Sequence, residues 1–229
     1  MNMAAIQLSH LSHAWPGQAA LFEIEHLSVE QGQHLFIQGP SGCGKSTLLS
    51  LLAGVQAVQT GSCCVLGHEL AGMSAVERDR LRGERMGVIF QQFNLLAYLD
   101  VQANVLLPTK LFPSRAKAAT LNWDSPLTQA KALANQLGLR ETLWRQPVNQ
   151  LSVGQQQRVA AVRALMGAPE LVIADEPTSA LDDAMQLEFL DLLLHTAETQ
   201  HTSVIMVSHN ARLASRFDQV FEMHAGGVA

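Results

Sequence analysis

The chain has 229 residues, of which 48% are hydrophobic and 15% are charged, and its formal net charge is −5. This length is enough for one large domain with a sizeable core, and the composition excludes a disordered polypeptide. The acidic charge and scattered basic residues argue against a nucleic-acid partner. No apolar run reaches the roughly 20 residues that span a bilayer, and the start MNMAAIQLSH lacks secretory-signal features, so we expect a cytoplasmic protein.

The first chemical motif is a glycine-rich loop. The segment HLFIQGPSGCGKSTLLSLLAG, from His34, is typical of a buried strand, a loop and a helix. Gly39, Gly44, Lys45 and Ser46 have the spacing of a phosphate-binding loop, in which backbone N–H groups surround a phosphate, the lysine reaches the β- and γ-phosphates and the serine ligates Mg²⁺. The residues expected to contact the nucleotide are Gly39, Pro40, Ser41, Gly42, Cys43, Gly44, Lys45, Ser46 and Thr47.

The middle of the chain looks mostly helical. AKALANQLGLRETLWRQ, residues 130–146, is its clearest helical part. LFPSRAKAATLNWDSP, residues 111–126, is rich in small and polar residues, and we interpret it as a loop or local insertion without assigned function.

The stretch LSVGQQQRVA, residues 151–160, joins a short loop to an amphipathic helix. Ser152 is a typical N-cap, and Val159, Val162 and Met166 recur at helical spacing. A small hydroxyl and a glycine at a helix N-terminus suit an anion. An ordinary capped helix is the alternative for these residues taken alone.

Two later apolar runs end in polar residues. LVIADEP leads a buried strand into Asp175 and Glu176, and TSVIMVSH leads another into His209. Carboxyl ends of parallel strands form the ligand-binding edge of an open α/β sheet. We interpret Asp175 as holding Mg²⁺ through water, Glu176 as polarising the attacking water and His209 as a hydrogen-bond donor to the γ-phosphate. A turn or helix cap, and a structural histidine, are the alternatives.

The phosphate loop, LSVGQ, the strand ending in Asp-Glu, SALD and the strand-end histidine, in this order, resemble the ATPase subunit of ATP-binding cassette (ABC) transporters over essentially the whole chain. The resemblance implies an α/β fold: a P-loop NTPase (RecA-like) core with an antiparallel β subdomain and an inserted α-helical subdomain. It implies one domain over residues 1–229, with the core and β subdomain in 1–91 and 166–229 and the helical subdomain, including the signature motif, in 92–165.

The resemblance also assigns roles to single residues. Trp15, in HAWPG, is similar to the aromatic residue that stacks on adenine. Gln91, in VIFQQFNLL, is similar to the loop glutamine that senses Mg²⁺ and the attacking water. The implied catalytic residues are Glu176, His209, Lys45 and Gln91, and the implied Mg²⁺ ligands are Ser46, Gln91 and Asp175.

Two further motifs resemble contacts across a dimer. The signature motif matches Ser152, Gly154 and Gln155, and the dimer-contact loop matches Ala180, Leu181 and Asp182. In the family the signature loop closes over the γ-phosphate of ATP on the other subunit, so two chains enclose two nucleotides. This chain has Val153 where glycine is usual; because valine restricts the backbone and adds a branched side chain, we predict weaker closure and reduced, but not absent, activity.

Three features most resemble the lipoprotein-release and macrolide-export group of ABC cassettes: the sequence FQQFNLL, the QQQRVA helix and the short chain. This resemblance implies an ATP-hydrolysing motor subunit, homodimeric or paired with a related cassette chain, that drives an integral membrane permease from the inner face of the cell membrane. A regulatory nucleotide-binding module and a non-transport ABC ATPase are the alternatives. The family's coupling-helix groove implies that some of Phe93, Leu95, Leu96 and Tyr98 remain exposed; plain subdomain core is the alternative.

Overall fold

The computed structural model describes residues 4–224. Residues 1–3, part of the start considered for a secretory signal, and residues 225–229, at the end of the predicted core, lie outside this range. The strands are β1 (Ala4–Ala14), β2 (Ala20–Glu30), β3 (His34–Gln38), β4 (Thr60–Val65), β5 (His68–Glu69), β6 (Met86–Ile89), β7 (Leu171–Asp175), β8 (Ser203–Val207) and β9 (Gln219–Glu222). The helices are α1 (Lys45–Leu52), α2 (Ala75–Arg85), α3 (Val101–Val105), α4 (Leu107–Leu111), α5 (Pro113–Ala119), α6 (Pro126–Gln136), α7 (Val153–Leu165) and α8 (Asp183–Thr199).

An antiparallel sheet of order β2-β1-β4-β5 covers one side of the fold. Apolar residues of β1 such as Ile6, Leu8 and Leu11 are completely buried, while polar neighbours face outward, as expected for a sheet with one solvated face. A turn closed by the Gln18 N–H and the Trp15 carbonyl, at 2.9 Å, joins β1 to β2. The sheet therefore fixes the position of Trp15 immediately after β1.

A parallel sheet of order β6-β7-β8-β3-β9 forms the centre of the molecule. Its strands β7 and β8 are almost continuously apolar and buried, because helices cover both faces of such a sheet. Asp175 at the end of β7 is in register with Val207 at the end of β8, which pairs in turn with Ile37 of β3. Their carboxyl ends therefore meet at one edge. The predicted α/β fold, with its parallel core and antiparallel sheet, is confirmed.

The helical part differs from the sequence-based expectation at two places. The interpretation of residues 111–126 as a loop is wrong for Pro113–Ala119, which form α5 with proline in the first turn. Proline suits that position, and the following Arg, Lys and Ala residues are good helix formers. The stretch 130–146, predicted as the clearest helical part, is an α-helix only up to Gln136, and Gly138 beyond that end has a φ of 67°. A left-handed glycine of this kind ends many helices.

Within residues 4–224, no helix combines the length and apolar character that crossing a bilayer requires.

Candidate active site

The glycine loop between β3 and α1 is held between two other strands. Gly39 and Gly44 have φ values of 152° and 100°, which disfavour residues with a side chain. A Cβ on Gly39 would lie 2.3 Å from the Met223 carbonyl oxygen, and one on Gly44 would lie 2.7 Å from Cδ1 of Phe22. The loop requires glycine at both positions because of backbone conformation and space.

The Lys45 side chain forms hydrogen bonds with the backbone of this loop. Its ammonium donates hydrogen bonds to the carbonyl oxygens of Gly39, at 2.8 Å, and Pro40, at 2.9 Å, and the residue is largely buried. Two carbonyl oxygens are weaker partners for a buried cation than phosphate oxygens are. The side chain can therefore exchange these contacts for a bound phosphate.

Ser46 and Asp175 lie next to each other at the loop. The Ser46 hydroxyl donates to Oδ1 of Asp175 at 3.2 Å. Burial raises the pKa of Asp175, and the Ser46 hydrogen bond and the nearby Lys45 and His209 oppose that shift. A hydroxyl beside a carboxylate is a donor set that suits Mg²⁺, which takes few protein ligands and completes its shell with phosphates and water. In the part of the chain that the structure describes, no cluster of three or more His, Cys, Asp or Glu side chains forms a metal site.

Glu176 lies beside His209 in a strained position. Its φ of 47° is in the left-handed region, held by a 3.0 Å hydrogen bond from its N–H to the Val207 carbonyl. His209 Nε2 lies 3.2 Å from Oε1, and the His209 backbone N–H donates to Oε2 at 3.4 Å. Burial raises the pKa of Glu176, and His209 counteracts it. A strained, buried carboxyl with a raised pKa is typical of a catalytic base.

Several of these residues line a cleft of about 400 Å³. Its lining comprises Trp15, Leu21, Ser41, Gly42, Gly44, Lys45, Ser46, Thr47, Gln91, Glu176, Ser179, Val207 and His209. The other predicted site residues lie outside this lining: Gly39, Pro40, Cys43 and Asp175, and also Ser152, Gly154, Gln155 and Asp182. Sequence reasoning did not assign Leu21, Ser179 or Val207 to the nucleotide site, although Ser179 is the first residue of the SALD motif.

Trp15 stands at the mouth of the cleft with 41% of its surface exposed. The His13 ring meets it edge to face, with centroids 5.1 Å apart, and stacks on Phe22 with centroids 6.2 Å apart. His13 is buried and was not predicted to belong to the site. The His13 ring thus packs against the half-exposed indole, and the exposed surface of the indole is available to a flat ring.

Gln91 lies in a turn that hydrogen bonds hold to α7. Phe93 and Asn94 have φ values of 59° and 46°, and their carbonyl oxygens accept hydrogen bonds from the Arg163 guanidinium at 2.6 and 2.8 Å. Phe93 is only 7% exposed, so it is core and is not available to a partner. Leu95 and Leu96 are half-buried, and Tyr98 is exposed.

The signature residues begin α7 and do not belong to the lining of the cleft. The Ser152 hydroxyl accepts from the Gln155 N–H at 3.3 Å, and the Gln155 side chain accepts from the Ser152 N–H at 2.9 Å, which forms a capping box. A Cβ on Gly154 would lie 3.6 Å from Cδ2 of Leu181, so this loop adjoins the SALD segment. Val153 is the first helical residue, has no positive φ and is 47% exposed. Its backbone is therefore unstrained here.

The SALD segment ends in a helix cap. Asp182 is exposed, and its Oδ1 accepts from the Met185 N–H at 2.9 Å at the start of α8. This contact occupies one of the two carboxylate oxygens.

Comparison with known proteins agrees with this architecture. The ABC transporter family profile matches residues 23–179. The lipoprotein-releasing system ATP-binding protein LolD of Hydrogenovibrio crunogenus is 37% identical over 198 residues, which cover 86% of this chain and 83% of LolD. The macrolide export ATP-binding/permease protein MacB of Campylobacter jejuni is 36% identical over 212 residues, or 93% of this chain, and the chain spans about a third of MacB, 32%.

Solved structures agree as well. One of them is a dimeric post-hydrolysis structure of the ATP-binding cassette MJ0796 bound to ADP and Pi, which matches this chain with a TM-score of 0.83 at 27% sequence identity. The match covers 98% of this chain and 96% of the MJ0796 chain. The matched family, the shared fold and the phosphate-loop cleft lead to one conclusion: this chain belongs to the ABC transporter family, as a nucleotide-binding ATPase cassette.

Proposed function

We propose that the chain is the motor subunit of a transport complex of the lipoprotein-release or macrolide-export type. In this proposal it binds ATP with Mg²⁺, dimerises around two nucleotides and drives a membrane permease from the inner face of the cell membrane. The observation that carries the proposal is the cleft at the carboxyl ends of the parallel strands, where Lys45, Ser46, Glu176 and His209 meet. The similarity to LolD and MacB supports the type of complex.

ATP binding would begin at the glycine loop. The β- and γ-phosphates would replace the Gly39 and Pro40 carbonyl oxygens as partners of the Lys45 ammonium. Trp15 would stack on adenine at the mouth of the cleft. Ser46, Asp175 and Gln91 would hold Mg²⁺, which, when bound, neutralises negative charge on the β- and γ-phosphates.

Glu176 would then orient the attacking water and accept its proton. Its raised pKa, caused by burial, makes it a better base than an exposed carboxylate. His209 would donate a hydrogen bond to the γ-phosphate from its position beside Glu176.

A second subunit would complete each site. Ser152, Gly154, Gln155 and Asp182 lie outside the cleft of their own chain, and Ser152 is exposed at the N-terminus of α7, where a helix favours anions. These placements support contacts to ATP bound by a partner chain, either a second copy or a related cassette. In this proposal the core comprises residues 1–91 and 166–229, and the helical subdomain comprises residues 92–165.

The permease would bind at a second cavity, which we name the docking groove. It has a volume of about 270 Å³ and lies between α2 and β6 on one side and α4 and α5 on the other. Its apolar walls include Phe90, Leu107, Leu111 and Phe112, and Leu111 is 61% exposed. An exposed apolar groove of this kind suits an amphipathic helix of a partner.

The test is steady-state ATP hydrolysis measured over a range of chain concentrations. A rate per chain that rises with concentration, and that is lost in Glu176→Gln, would support completion of the site in trans. ATP binding without turnover at any concentration, or a concentration-independent rate, would contradict the homodimeric motor. ATP binding without turnover would favour a regulatory nucleotide-binding module. The observation that favours this alternative is Val153 at the start of α7.

A further inference from the structure

The docking groove combines apolar walls with an unusual charge pattern. Three arginines line it, Arg82, Arg115 and Arg163, and no Asp or Glu side chain from residues 4–224 belongs to its lining. Each arginine comes from a different helix, α2, α5 and α7, so the positive charge is distributed around the groove. A lining of this kind favours negative charge in an occupant.

Arg115 carries this preference furthest. It is the largest fully buried side chain of the chain's described part, with 2% of its surface exposed. Its Nη1 donates to the Met86 carbonyl at 3.2 Å, and its Nη2 donates to the Ala164 carbonyl at 3.0 Å. Its Nε has no hydrogen-bond partner among the residues that the structure describes. The guanidinium is therefore buried with two neutral partners and one donor left over.

The ionisation of Arg115 agrees with this account. Burial alone lowers the pKa of Arg115 to about 10, and no carboxylate counteracts the shift. The side chain is still charged at neutral pH, since 10 lies well above 7. A buried charge without a counter-ion is costly, and a carboxylate that arrives with a partner removes much of that cost.

The other two arginines add to the field and are already committed. Arg163 donates to the Phe93 and Asn94 carbonyl oxygens, and burial lowers its pKa too. Arg82 donates to the Ala53 carbonyl at 3.1 Å and pairs with Asp79 of its own helix at 2.5 Å. Arg115 thus has the donor that remains to be satisfied.

We propose that the permease segment that occupies the docking groove presents a carboxylate side chain, which accepts a hydrogen bond from the Arg115 guanidinium. Apolar neighbours of that carboxylate would pack on Leu107, Leu111 and Phe112. This inference rests on the proposed function, because that function supplies a permease as the occupant. It adds the chemistry by which the chain selects the permease segment.

The test uses three labelled synthetic peptides of about 15 residues, long enough for an amphipathic helix. They are identical except for one residue at the centre of the apolar face, which is Glu, Gln or Lys. Fluorescence anisotropy measures their binding to the full chain. We expect the Glu peptide to bind about 10-fold more tightly than the Gln peptide, as for a hydrogen bond between charged groups, and the Lys peptide to bind most weakly.

Variants then locate the preference. Arg115→Gln should make the Glu and Gln peptides bind equally. Arg80→Gln, on an exposed part of α2 outside the groove lining, should leave the preference unchanged. If Arg115→Gln fails to fold, Arg82→Gln should reduce the preference, because it removes one of the three charges.

Two results would overturn the inference: equal affinity for the Glu and Gln peptides, or no measurable binding of the Glu peptide at millimolar concentration. ATP turnover of the same preparation separates this failure from failure of the proposed function. Intact turnover with no preference for Glu refutes the carboxylate alone, whereas a preparation that binds the Glu peptide but not ATP refutes the motor.

Discussion

Replacing Glu176 by glutamine changes one atom in the cleft and should move activity and stability in opposite directions. Glutamine keeps the size and shape of the side chain, including the atoms near His209, but it cannot ionise or accept a proton from water. The backbone at position 176 keeps its φ of 47°, because that conformation is held by the hydrogen bond from its own N–H to Val207. The substitution therefore isolates the charge.

The loss of activity follows from the role of a general base. A positioned base contributes about 10²–10⁴-fold to a rate, so we expect ATP turnover to fall by at least about 100-fold. Binding of ATP should persist, because Lys45, Ser46 and Trp15 are unchanged.

The gain in stability follows from the pKa of Glu176. Burial raises this pKa in the folded protein, so the folded state holds the proton more tightly than the unfolded state does. That contribution to stability is complete below the ordinary carboxyl value of 4.5 and is lost as the pH rises through the raised pKa. At pH 7 the ionised carboxylate is a net cost, and glutamine removes it. Without nucleotide, Glu176→Gln should therefore melt at a higher temperature than the original chain, and the difference should disappear at pH 4.

Both effects can be measured on one preparation by steady-state turnover and thermal melting at pH 7 and pH 4. Glu23→Gln is the matched control, since Glu23 is exposed on β2, and it should change neither quantity. A lower melting temperature for Glu176→Gln at pH 7 would refute the burial argument. A turnover reduced by less than about 10-fold would refute the assignment of the base.

Three further substitutions test other parts of the structure. Asn104→Ala removes a completely buried amide that forms hydrogen bonds with both the N–H and the carbonyl of Leu96. We expect the free energy of unfolding to fall by about 3 kcal/mol, which lowers the melting temperature by about 6–12 °C. An unchanged melting temperature would contradict this expectation. Ser152→Ala should cost about 1 kcal/mol in unfolding experiments and also reduce turnover, whereas Ser74→Ala, at the equivalent capping box of α2, should cost the same and leave turnover intact. Val153→Gly should lower helix stability by about 0.4 kcal/mol and raise both turnover and ATP-driven dimerisation. If turnover and dimerisation both stayed unchanged, the prediction that Val153 weakens closure would be wrong.

Most of the polar residues of the cleft could be predicted because their signals are local. The glycine spacing around Lys45 and the polar residues that end β7 and β8 follow directly from strand and loop patterns in the sequence. Parallel pairing then brings Asp175, Glu176 and His209 to one edge of the sheet without any further information.

The parts that sequence reasoning missed depend on contacts between distant segments. The α5 segment has good helix formers but no apolar stripe, so hydrophobic periodicity does not predict a helix there. Arg115 is buried because carbonyl groups of Met86 and Ala164 face it, and no local pattern predicts that a charged residue will find such partners. His13 was missed for the same reason, since its place behind Trp15 depends on the β1–β2 pairing.

The attachment of Arg163 near the end of α7 has a geometric consequence. From Arg163 back to Ser152 the helix extends about 16 Å, at 1.5 Å per residue. If the Gln91 turn shifts and Arg163 moves with it, a tilt of only about 4° displaces Ser152 by about 1 Å, which is enough to make or break a hydrogen bond. Small changes at the carbonyl groups of Phe93 and Asn94 would thereby be amplified at the far end of the same helix.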